Sequence, residues 1–269
     1  MFRLTAAKII NYISLTWEIK KIGIISAMEY RVNFLSQVIM MMINNSFWIV
    51  LWFIFFQKFP TINGWNFHDM IALFALASAN FGFLMIFLGG APEISRIVSR
   101  GELDYYFAFP KNILWQVSVS QTVISAIGDL FFGILLFSFS GGVTIEKFLL
   151  FMVFTAITGL IFYNFSVIFQ SMAFFVGNFE DAADQFFWAL LGFGFYPQTV
   201  FSGFLKVIMF TILPAFFVFA LPAQIIQEFS WIKLLYVIGF WLITFIIAVS
   251  IFNRGLKRYE SGNLMNINM

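Results

Sequence analysis

Residues 34–56 read FLSQVIMMMINNSFWIVLWFIFF, without one charged side chain. A bilayer core about 30 Å thick is crossed by roughly 20 such residues in a helix. Lipid offers backbone amides no partners, so the segment has to satisfy its own hydrogen bonds. The stretch predicts a membrane-spanning helix and, with it, an all-α integral membrane protein.

Apolar runs of similar kind flank it at Met70 to Ala91, Ile113 to Phe139 and Phe148 to Val176, with two shorter ones at Phe186 to Phe204 and Leu234 to Phe252. Together they predict about six spans. The composition agrees: 61% hydrophobic residues, 10% charged and a mean hydropathy of +0.92 leave too few charges to keep 41 Phe and 8 Trp in water. Zero Cys excludes disulfides, thiolate metal sites and a cysteine nucleophile, and His68 is the sole histidine, so imidazole zinc sites are excluded too. No catalytic residues, no metal site and no nucleic-acid partner are expected, the net charge being only +2.

The first 32 residues mix Arg3, Lys8, Glu18, Lys20, Lys21, Glu29 and Arg31 with isoleucines. That pattern suits a helix lying in the membrane interface rather than a cleaved signal. With six spans and both termini inside, 11 of the 15 Lys and Arg residues fall on the inner side. Treating the proline-broken stretch Val207 to Leu221 as a seventh span lowers that to 9. The positive-inside rule prefers six spans in a cell membrane, both termini cytoplasmic. Residues 205–232, broken at Pro214 and Pro222, are then expected to form a re-entrant helical element dipping in from the outer face between spans five and six. No soluble domain interrupts residues 1–269, which read as a single membrane domain.

Between spans two and three, Pro92 can open a helix, Glu93 suits its amino end, and Arg96 and Arg100 approach a carboxy end closed by Gly101. The spacing of Glu93, Ile97 and Arg100 places an apolar centre with charged flanks on one face, an offer to a protein partner; a plain connecting loop competes on even terms. Glu180, Asp181 and Asp184 form an acidic inner segment, read more readily as a solvated turn than as a partner site. Asp129, inside span three between Gly128 and Gly133, is the best single functional candidate, with a structural bond between helices as the equal alternative. The many phenylalanines are better read as lipid-facing and core residues than as a substrate lining.

Gly101-Glu-Leu-Asp104 followed by Phe109-Pro110, Phe195-Tyr-Pro197, the pair Leu213-Pro-Ala215 and Leu221-Pro-Ala223, and a tail running from Gly255 to Asn263 resemble the permease subunits of ABC-2 type exporters, in their short single-domain branch. One departure is Phe109, where the family often places a basic residue before the proline. The resemblance implies an interfacial helix, six spans and a re-entrant element carrying Tyr196, Pro197, Pro214 and Pro222. It implies residues 92–101 as a cytoplasmic coupling helix, with Glu93, Ile94, Arg96, Ile97, Arg100, Gly101, Glu102 and Asp104 meeting an ABC ATPase. It further implies a dimer, with a second permease half identical or related, docking two ATPase copies. No Gly-x-x-x-x-Gly-Lys-Ser/Thr loop occurs in the chain, so ATP and Mg are expected on that separate ATPase and no cofactor on this chain. The expected function is ATP-driven export of a hydrophobic or amphipathic compound. The rival readings are a proton-coupled carrier using Asp129 and a membrane anchor that transports nothing.

Overall fold

The computed structural model describes residues 6–260, and its named elements are all helical. Residues 1–5 of the predicted interfacial segment and 261–263 of the tail motif lie outside the described residues. In chain order the helices are α1 (Ala6–Met28), α2 (Arg31–Lys58), α3 (Phe67–Phe87), α4 (Ile94–Ser99), α5 (Asp104–Phe107), α6 (Ile113–Val119), α7 (Ala126–Phe137), α8 (Ile145–Gln170), α9 (Ala173–Val176), α10 (Glu180–Phe193), α11 (Gly203–Phe210), α12 (Leu221–Gln227) and α13 (Trp231–Leu256). Four stretches are long and apolar enough to cross a membrane: α2, α3, α8 continued through α9, and α13. The chain is a multi-pass membrane protein.

The bundle is organised around α3. A reciprocal cap starts it: the Asn66 side chain accepts from the His68 and Asp69 amides while Asp69 accepts from the Asn66 amide. Its small residues then admit α7 at backbone range. A Cβ added to Gly82 would lie 2.5 Å from the Leu130 nitrogen, and one on Gly133 would lie 2.5 Å from the Ala75 carbonyl. Close approach of this kind replaces the missing hydrophobic drive between helices in lipid. α8 joins through Asn80, which donates to Thr158 at 3.0 Å, and α13 joins α8 through Asn164, which donates to Thr244 at 3.0 Å.

The run Ile113 to Phe139 is two helices, α6 and α7, separated by an irregular stretch at Ser120–Ser125. Non-helical backbone survives at membrane depth only where protein satisfies it, and here neighbours do so. Lys20 of α1, 1% exposed, donates to the carbonyls of Val119 at 2.9 Å and Gln121 at 2.6 Å. The Gly90 amide donates to the Ser118 carbonyl, and the Val123 amide to that of Met85. Gly90 has no Cβ because one would overlap the Val117 carbonyl.

The run Phe186 to Phe204 is likewise interrupted. α10 ends at Phe193, where Gly194 lies against the Phe219 ring, and α11 begins only at Gly203. A π-helical stretch, Phe216–Ala220, leads directly into α12. Pro222 near the start of α12 has no amide to donate, and the wider π turn before it accommodates the missing bond.

Candidate functional site

The segment predicted as a capped helix forms one. A 3₁₀ turn at Ala91–Glu93, opened by Pro92, runs into α4. Gly101 ends it at φ +70°, with its own amide on the Val98 carbonyl and the Glu102 amide on that of Ile97. This paired closure requires a left-handed residue, which explains the glycine. Glu93 and Glu102 both reach Arg96, the latter at 3.5 Å. The hydrogen bond that Arg96 donates to Glu93 raises the Arg96 pKa above its ordinary value, and the charges of Glu93, Glu102 and Glu180 add to it. The pairs are partly exposed, so they fix orientation more than they stabilise.

One expectation is reversed. Ile97, the apolar centre of the face offered to a partner, is 2% exposed, and Ile94, expected to meet the ATPase, is 0% exposed; both pack with Leu103, Leu114 and Phe252. In a helix of this length, the apolar side anchors to the bundle and the other side is what remains outside. The outward surface is instead Arg100, Glu102 and Asp104, continued by Tyr105, Phe107 and Phe109 at 67%, 51% and 45% exposure. Phe107 stacks on Tyr259 beyond α13, so the chain's tail borders the same surface.

A residue not singled out in the sequence ties this segment to α10. Gln170, at the end of α8 and 1% exposed, accepts from the Ser95 amide at 3.1 Å and donates to the Asp184 carboxylate at 3.0 Å. Asp184 is thus half-buried inside α10 and engaged, whereas Asp181 stays exposed. The acidic segment is the first turns of a helix, where carboxylates suit the positive end of the dipole. A lone amide closing an apolar span was the available sign of Gln170.

Asp129 lies on α7, 4% exposed. Its carboxylate accepts from Asn45 of α2 at 2.7 Å, and its carbonyl accepts from Ser78 of α3 at 3.0 Å, while Asn45 also reaches Ser78 at 3.3 Å. Three helices meet in this polar clasp, and the second carboxylate oxygen has no hydrogen-bond partner among the described residues.

Of the residues expected in a re-entrant element, Pro214 and Pro222 are buried along with Pro197, while Tyr196 is 39% exposed with its ring 5.9 Å from that of Trp52. The structure therefore places Tyr196 and Pro197 between α10 and α11, and Pro214 and Pro222 on either side of the π-helical stretch.

No curated protein and no solved structure significantly matches the chain. The family model described as ABC-2 family transporter protein matches residues 40–262, which takes in α4 with its cap, the Asp129 clasp, both proline-bounded segments and the tail motif as far as residue 262. By that match over most of its length, the chain belongs to the ABC-2 family of transporter proteins.

Proposed function

We propose that the chain is the transmembrane permease subunit of an ATP-driven exporter, moving a hydrophobic or amphipathic substrate outward while a separate ABC ATPase binds ATP and Mg. Family membership across residues 40–262 carries this reading. The outward surface of residues 100–109 supports it at the level of geometry: charges of both signs beside exposed aromatics, directly after a short helix anchored by Ile94 and Ile97, suit a firm protein contact. ATPase closure would press on α4, and Gly101, Glu102 and Asp104 would bear on the ATPase directly.

Six crossings follow if α6 with α7, and α10 with the irregular stretch after it, each count as one. The helix Phe216–Gln227, about 18 Å long, is short of a full crossing and fits a re-entrant role. The charge bias supports an orientation with α4 and both termini in the cytoplasm. α2 and α13 turn most of their apolar surface outward, and Asn44, exposed in α2, reaches among the described residues only the Met41 sulfur, at 4.0 Å. A second permease half, identical or related, seated there would shield it from lipid.

Purification of the tagged chain from its native membrane tests the reading. An ATPase chain is expected to accompany it, and Arg100→Glu with Phe107→Ala is expected to cut its recovery at least tenfold while the permease elutes unchanged. Recovery of the permease alone under conditions that preserve membrane complexes contradicts the proposal.

A further inference from the structure

α1 bears a stripe at helical spacing, Ile13, Thr16, Trp17, Lys20, Lys21, Ile24 and Ile25, which the bundle only partly covers. Two grooves run along it. One, about 250 Å³, is bounded by Tyr12, Ile13, Trp17, Phe87 and Trp115. The other, also about 250 Å³, is bounded by Trp17, Lys21, Ile24, Ile25 and Phe87. They share Trp17 and Phe87, so they lie side by side between α1 and the end of α3, a trough in two parts.

Their walls are almost wholly apolar, and an apolar trough in a bilayer is filled by hydrocarbon rather than water. Its rim is cationic. Lys21 lines the second groove, and Lys111 holds its ammonium 4.7 Å above the Tyr12 ring beside the first. Glu18 lines neither groove. Lys20 is already committed to the Val119 and Gln121 carbonyls, which pins α1 and keeps the trough's shape.

We infer that this trough is a binding site for one anionic phospholipid, its acyl chains in the two grooves on either side of Trp17 and its phosphate-bearing headgroup against Lys21 and Lys111. The site goes beyond the transport reading and requires only that the chain reside in a bilayer. A basic residue at a membrane surface favours an anionic lipid by about 1 kcal/mol, or roughly fivefold.

The test uses the full chain in nanodiscs containing equal phosphatidylglycerol and phosphatidylcholine of matched chains, with retained lipid identified by native mass spectrometry. Phosphatidylglycerol is expected to be retained at least fivefold over phosphatidylcholine. Lys21→Gln with Lys111→Gln, both at the rim, is expected to bring the ratio near one without lowering total lipid. Trp17→Ala, or Ile25→Ser where the first does not fold, is expected to lower retention of both lipids. A wild-type ratio near one, a preference that survives loss of both lysines, or retention unaffected by the groove substitutions each overturns the assignment.

Discussion

α2 and α3 are nearly equal in mean hydropathy, 1.9 and 2.1, yet 11% of the most apolar stretch is buried in α2 and 83% in α3. The difference lies in size and shape. α3 carries Ala72, Ala75, Ala77, Ser78, Ala79 and Gly82, which let α7 and α8 approach its backbone; α2 carries Phe, Trp, Met and Ile around most of its surface. Apolarity commits a helix to the membrane, and small residues commit it to the centre of the bundle.

The largest expected effect comes from filling the α3–α7 contact. Gly133→Val would press methyl groups on the Ala75 and Ala79 backbone, costing about 1–3 kcal/mol or more. Leu51→Phe on the open face of α2 is expected to stay within about 0.5 kcal/mol. Thermal unfolding in detergent compares them, and equal losses would remove the distinction between the two helices.

Next in size is the polar clasp, where α2 meets the central pair through Asn45. Asn45→Leu leaves the Asp129 carboxylate without its donor and is expected to cost about 1–2 kcal/mol. Asp129→Asn is expected to cost less, because an amide oxygen still accepts from Asn45, and to leave export intact. Loss of export in a stable Asp129→Asn protein would restore the proton-coupled reading.

A pH-dependent effect of its own concerns α1, which Lys20 fastens to the α6–α7 break. Burial pushes the Lys20 pKa down from 10.5 to about 8. Between about pH 8 and 10.5 the unfolded chain therefore holds a proton that the folded one has released, and stability rises with pH across that window. Below about pH 8 both states are charged and the desolvation cost is felt in full. The unfolding midpoint is expected to show this rise, and Lys20→Met to abolish it.

The class of fold was legible because the bilayer imposes it: residues 34–56 admit little else. The α4 cap was legible for the same kind of reason, since Pro92 and Gly101 act through local backbone rules. The break at Ser120–Ser125 was not, because the run is apolar enough for one helix and the groups that make a break tolerable, Lys20 and Gly90, are distant in the chain. Hydropathy also cannot tell which side of a short amphipathic helix faces the bundle, and so Ile97 was expected outside. Gln170 shows the same limit, its two partners lying 75 and 14 residues away.

The most direct test of the central claim is site-specific photocrosslinking in the native membrane, with p-benzoylphenylalanine replacing Phe107 at the surface beside α4 and, as a control, replacing Phe47 on the open face of α2. Crosslinking from Phe107 to an ABC ATPase, absent from Phe47, is the expected result. Absence of an ATPase adduct from Phe107, with the protein correctly inserted and exporting, would contradict it.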